Sequence, residues 1–82
     1  MYKRILVVDD EKSMLFFLGR IFSKEDIFIE LAENGYDAIE KIKNTVYDLI
    51  ITDLRMPGGV SGRDVMRSAK EQSEKTEIII VY

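Results

Sequence analysis

The sequence predicts an α/β domain built on a doubly wound parallel sheet, and three observations carry that expectation. Ile5 to Val8, Asp48 to Thr52 and Ile78 to Tyr82 are short aliphatic runs without alternation, as expected of strands buried on both faces. Between the strands lie stretches of about ten residues with apolar side chains at helical spacing. The resulting order, β-α-β-α-β-α-β, implies parallel strands joined by right-handed crossovers.

The first strand, Ile5-Leu6-Val7-Val8, is bounded by Asp9 and Asp10. From Ser13 to about Ser23, Met14, Leu15, Phe16, Phe17, Leu18, Ile21 and Phe22 predict a helix, closed by the charged Lys24-Glu25-Asp26. At about 100° per residue, the consecutive apolar side chains Met14 to Leu18 cannot all face one sheet, so part of this helix meets something else. Ile27 to Ala32 reads as a shorter, peripheral strand, and Glu33-Asn34-Gly35 as a turn and helix start. Tyr36 to Asn44 sets Ala38, Ile39 and Ile42 on one face, with Asp37, Glu40, Lys41 and Lys43 on the other. Asp48 to Thr52 ends at Asp53, and Leu54 to Gly62 is a loop dense in glycine and proline. Val65, Met66 and Ala69 among charges predict a third helix, and Ile78 to Tyr82 a fourth strand. No repeat, linker or low-complexity segment interrupts this order.

Composition narrows the chemistry. The chain has 82 residues, 12 basic and 15 acidic side chains, a net charge of −3, 46% apolar residues and one proline, as in a single soluble globular domain. A domain of this size buries only roughly 63% of its unfolded surface and is marginally stable. Without cysteine or histidine there is no disulfide, thiolate zinc site or imidazole acid-base group, so chemistry must run on carboxylates, lysines or hydroxyls. The longest apolar runs, Met14 to Leu18 and Ile78 to Tyr82, fall far short of the roughly 18 residues that span a bilayer. The stretch after Met1 is too short for a secretory signal, so a cytoplasmic location without membrane contact is expected. With no basic block, direct nucleic-acid binding is not expected.

The carboxylates give the sharpest signal. Asp9 and Asp10 follow the first strand and Asp53 follows the third, and in doubly wound sheets the binding crevice lies beyond the carboxyl ends of the strands. Any one of these residues could simply cap a helix or open a turn, as could Ser13. Three together would repel one another unless a cation or proton neutralises them, and a divalent metal site accounts for them better. Hard oxygen ligands suit Mg²⁺, which uses one or two carboxylates, keeps several waters and binds beside a phosphate.

Val7-Val8-Asp9-Asp10-Glu11, Glu33-Asn34-Gly35-Tyr36-Asp37-Ala38 and Tyr47-Asp48-Leu49-Ile50-Ile51-Thr52-Asp53-Leu54-Arg55-Met56-Pro57-Gly58 occur in an order and at separations that resemble the receiver domain of bacterial two-component response regulators. The resemblance runs from Arg4 through Tyr82 and implies a flavodoxin-like sheet of order 2-1-3-4, with four strands and three helices. It implies that Asp53 accepts a phosphoryl group from a sensor histidine kinase or phosphotransfer protein. It implies that Asp10, Asp53 and the backbone carbonyl of Arg55 hold Mg²⁺, with Asp9 acting through water. Such a module is not an enzyme beyond its own phosphotransfer. Pro57 and the glycines are expected to shape the loop, the glycines at positive φ.

Against that family, residues 1–82 correspond to the N-terminal two thirds of a receiver, ending just before the expected phosphate-binding Thr or Ser and lacking the later Lys. The loop from Gly58 to Ser61 is one residue longer than usual, and Ser61 stands where an acidic residue is common. If the chain ends there, Ile78 to Tyr82 forms an unprotected edge, and an alternative function follows: an assembly module that dimerises or swaps elements through its fourth strand. A haloacid-dehalogenase-type phosphatase fits less well, because Asp53-Leu54-Arg55 lacks a second carboxylate. Neither glycine-rich nucleotide-binding motif occurs.

Overall fold

The four aliphatic runs pair into one parallel sheet. A computed structural model of the chain describes residues 3–9, 11, 20, 27–55 and 58–81. The strands are β1 (Lys3–Val8), β2 (Ile27–Ala32), β3 (Leu49–Asp53) and β4 (Glu77–Val81), and the helices are α1 (Gly35–Asn44) and α2 (Gly62–Gln72). The sheet order is β2-β1-β3-β4 with every pairing parallel, the flavodoxin-like arrangement the sequence implied. The helix expected over 13–23, apart from Arg20, lies outside the described residues, as do Asp10, Met56, Pro57 and Tyr82.

Residues of β1 point alternately to the two faces, and both faces are buried, which explains a run without alternation. Leu6 and Val8 join Ile50, Ala38, Ile42, Val65 and Ala69 in the core beneath α1 and α2. Ile5 and Val7 pack with Ile27, Ile29 and Leu49 on the opposite face. The larger fully buried side chains among these, Leu6, Val7, Val8, Ile42, Ile50 and Val65, each contribute about 1.5–3 kcal/mol of transfer free energy.

Burial on both faces does not extend to β4. Its exposure alternates, with Ile78 packed against the core and Ile79 and Val81 each 51% exposed. The reason is position: β4 is the last strand in the sheet order, and α2 shields only one of its faces among the described residues.

Asp48 stands one residue before β3 because its polar groups tie the amino ends of three strands together. Its Oδ2 accepts the Arg4 N–H at 2.8 Å, its own N–H donates to the Arg4 carbonyl at 2.8 Å, and its carbonyl accepts the Glu77 N–H at 3.0 Å. Asn34 caps α1, its Oδ1 accepting the Asp37 N–H at 2.8 Å, and Lys41 pairs with Asp37 at 2.9 Å across one helical turn. After α2, the Lys70 ammonium donates to the Thr76 carbonyl at 2.5 Å, while the Thr76 hydroxyl donates to the Tyr47 carbonyl at 2.6 Å. These contacts fasten the turn into β4 to the segment that enters β3.

Tyr47 is 2% exposed, and among the described residues its hydroxyl makes no well-formed hydrogen bond, with the side chains of Glu30 and Thr45 near it. Burial pushes this phenol up from 10.0 to about 12, with the nearby Glu30 carboxylate adding to the rise. Below pH 10 both folded and unfolded chains carry a neutral phenol. As pH rises from 10 towards 12 the unfolded chain ionises first, so stability falls through that window by an amount on the order of 2 kcal/mol. Tyr47→Phe is expected to remove this part of the alkaline loss and to be at least as stable at pH 7, because it discards an unsatisfied buried hydroxyl. Urea unfolding of both chains between pH 7 and 12 checks this, and parallel stability curves would contradict it.

Candidate functional site

The register of the central strands sets the site. Val8 of β1 pairs with Thr52 of β3, so the next residues, Asp9 and Asp53, stand side by side at the carboxyl edge of the sheet. Neighbouring strands are about 4.8 Å apart, which brings together carboxylates forty-four positions apart in the chain. The ladder continues past β1, since the Asp9 N–H donates to the Ala32 carbonyl of β2 at 3.1 Å. Asp9 and Asp53 also share a cavity of about 160 Å³, lined among the described residues by Val7, Val8, Ile51, Thr52 and Val81 as well.

Each carboxylate is oriented by its own loop. Asp9 Oδ1 accepts the Glu11 N–H at 3.0 Å, and Asp53 Oδ1 accepts the Arg55 N–H at 3.2 Å, so both residues close a turn onto the backbone two positions on. The turn at Asp53 keeps the Arg55 peptide beside the Asp53 carboxylate. Asp10, the third expected carboxylate, lies outside the described residues, and among the described residues no three acidic side chains form a cluster. The donor set fits a hard divalent cation nonetheless: two carboxylates on one cavity, with a backbone carbonyl in the adjoining turn, match the ligand types Mg²⁺ uses.

The loop after Asp53 returns onto the sheet edge and onto α1. Gly58 and Gly59 take the positive φ expected of them, 92° and 83°. The ring of Tyr36, 62% exposed, stands beside Gly58, and Gly35 is buried against Val60 so closely that an added Cβ would lie 2.4 Å from Val60 Cγ1. Gly62 closes the loop, its N–H donating to the Leu54 carbonyl at 2.9 Å. Ser61, where the family commonly has an acid, caps α2: its Oγ accepts the Arg63 N–H at 3.2 Å, and its N–H donates to Asp64 Oδ2 at 2.9 Å. This is a capping box, and its Ser-x-x-Asp spacing at 61–64 is the sequence signal that marks the start of α2. The first N–H groups of α2 are therefore committed to its own loop.

A family model described as the response regulator receiver domain matches residues 5–81. The chain belongs to the response regulator receiver family. Among curated proteins, the receiver is 42% identical over 78 residues to the transcriptional regulatory protein ResD of Bacillus subtilis, covering 95% of this chain and 32% of ResD. It is 33% identical to the response regulator ArlR of Staphylococcus aureus, covering 95% of this chain and 35% of ArlR. The chain thus spans about a third of these relatives. Among solved structures, the response regulator TrrA of Thermotoga maritima, in complex with Mg²⁺-BeF, superposes with a TM-score of 0.84 at 39% identity, covering 98% of this chain and 70% of TrrA. A receiver protein of Sinorhizobium medicae gives a TM-score of 0.89 at 26% identity, covering 96% of this chain and 64% of that protein. No described helix of the receiver is long and apolar enough to cross a membrane.

The Ser61 cap gives a direct check on how α2 is seated. Ser61→Ala is expected to cost about 1 kcal/mol and Ser61→Gly only a few tenths, because glycine keeps the extended cap backbone accessible and leaves the helix end open to water. Urea midpoints that do not separate the two variants would contradict this role.

Proposed function

We propose that this receiver accepts a phosphoryl group on Asp53 from the phosphohistidine of a sensor histidine kinase or phosphotransfer protein, with Mg²⁺ required. The observation that carries the reading is the pairing of Val8 with Thr52, which sets Asp9 and Asp53 on one cavity at the sheet edge. Family membership and the likeness to TrrA, whose structure holds Mg²⁺-BeF, support it.

In the proposed step an oxygen of the ionised Asp53 carboxylate attacks phosphorus. The new O–P bond forms as the N–P bond to the kinase imidazole breaks, and the released imidazole nitrogen takes up a proton from water. Asp53 Oδ1 is held by the Arg55 N–H, which fixes the carboxylate's orientation before the donor arrives. Asp9, Asp10, Asp53 and the Arg55 backbone carbonyl are the groups that would hold the cation. Bound there, Mg²⁺ supplies the positive charge that offsets repulsion between an anionic nucleophile and an anionic phosphoryl group. Val7, Ile51 and Val81 make one wall of the cavity apolar. The proposal extends to a cytoplasmic signalling module that catalyses nothing beyond its own transfer.

A second reading is favoured by one observation, the half-exposed Ile79 and Val81 on the terminal strand of the sheet. In it, two copies associate or exchange elements through β4. Sedimentation over a wide concentration range distinguishes them: a rising mass supports self-association, and a constant monomer excludes it.

Incubation with acetyl phosphate and Mg²⁺, read by intact mass, tests the leading reading. One added phosphoryl group is expected, absent in Asp53→Asn and absent when the cation is chelated. No added mass on the folded wild-type chain, or unchanged labelling of Asp53→Asn, would overturn it.

A further inference from the structure

The peptide that joins Asp53 to Leu54 is held on three sides. At one end, the Leu54 N–H donates to the Val81 carbonyl of β4 at 3.1 Å. At the other, the Asp53 carbonyl accepts the hydroxyl of Thr52 at 3.0 Å, and Thr52 itself is 0% exposed. The third side is the start of α2. A Cβ built on Gly62 would lie 2.4 Å from the Asp53 carbonyl oxygen, 3.0 Å from Leu54 Cα and 3.1 Å from the Asp53 carbonyl carbon.

All three contacts at Gly62 are with backbone, which cannot swing aside as a flexible side chain can. Nor is the requirement one of conformation, since positive φ among the described glycines is confined to Gly58 and Gly59. Gly62 is needed for space. Its absent side chain lets the helix start press against the acceptor's own peptide, while its N–H closes the loop on the next carbonyl, that of Leu54, at 2.9 Å.

We propose that Thr52 and Gly62 are positioning residues for Asp53: together they lock the 53–54 peptide plane and so aim the acceptor carboxylate. Rotation of that plane changes ψ of Asp53 and φ of Leu54. It would pull the Leu54 N–H off Val81 and open the turn in which Asp53 Oδ1 receives the Arg55 N–H. The lock acts before any donor or cation binds, so the geometry for in-line attack is built into the fold. The inference rests on the reading of Asp53 as phospho-acceptor, but the lock has a readout of its own.

Two variants test it from opposite sides. Thr52→Val keeps the shape of the buried side chain and removes only the hydroxyl, and Gly62→Ala inserts the methyl. Ile42→Ala, in the core of α1 and away from this peptide, serves as a destabilised control. Amide exchange at Leu54 in the cation-free chain is expected to quicken at least tenfold in Thr52→Val and Gly62→Ala relative to the control at matched stability. Labelling by acetyl phosphate at saturating Mg²⁺ is expected to slow by about tenfold to a hundredfold in both, and not in the control. Should Gly62→Ala fail to fold, Thr52→Val decides alone. Wild-type Leu54 exchange and a wild-type labelling rate in folded Thr52→Val would overturn the proposal. If the wild-type chain itself takes no phosphoryl group, the acceptor reading falls, while Leu54 exchange still decides whether the lock exists.

Discussion

The parallel register of β1 against β3 is the constraint from which the site follows. Val7 opposite Ile51 and Val8 opposite Thr52 bury both faces of the sheet's centre, so neither strand can slip by one residue without moving its aliphatic side chains out of one core and into the other. That cost fixes where the strands end. Asp9 and Asp53 are the residues at which burial gives way to the open edge, and they are neighbours because the hydrophobic pairing before them leaves no alternative. Core packing thus imposes the closeness of the two carboxylates at this edge.

Past that edge, the structure spends its small polar inventory on holding backbone still. Asp9 and Asp53 each close a turn, Ser61 and Asp64 cap α2, and Thr52 and Gly62 bracket one peptide. The same pattern recurs at the opposite end of the sheet, where Asp48 joins Arg4 and Glu77 without any bearing on the site. Local hydrogen bonds supply the rigidity of these loops. Tight seating of Gly35 on Val60 and Gly62 on Asp53 also makes the loop that leaves Asp53 continuous with the starts of both α1 and α2.

Much of this was legible in the sequence. Unbroken aliphatic runs locate β1 and β3, the run Ile27 to Ala32 locates β2, which is as long as β1 and not shorter, and the strand-terminal aspartates point to the carboxyl edge. Ile78 to Val81 reads like a central strand, but its burial depends on what lies beside it in the sheet, a property no local pattern encodes. The role of Thr52 was hidden for a related reason: in sequence it is one more β-branched strand residue, and only the position of its hydroxyl separates it from valine. Gly62 looked like another flexible loop glycine, whereas its function is the space left beside a carbonyl that arrives from nine residues earlier. The Ser61 cap is legible in the Ser-x-x-Asp spacing at 61–64.

The claim that everything else leans on is that Asp9 and Asp53 contribute to one cation site at this edge. A Mg²⁺ titration followed by backbone amide shifts measures it directly. The account predicts saturable shifts centred on Asp9 and on Asp53 to Arg55, lost in Asp53→Asn and weakened in Asp9→Ala, with Glu77 and Asp48 at the far edge unmoved. Shifts of equal size at both edges, or binding indifferent to both substitutions, would contradict it.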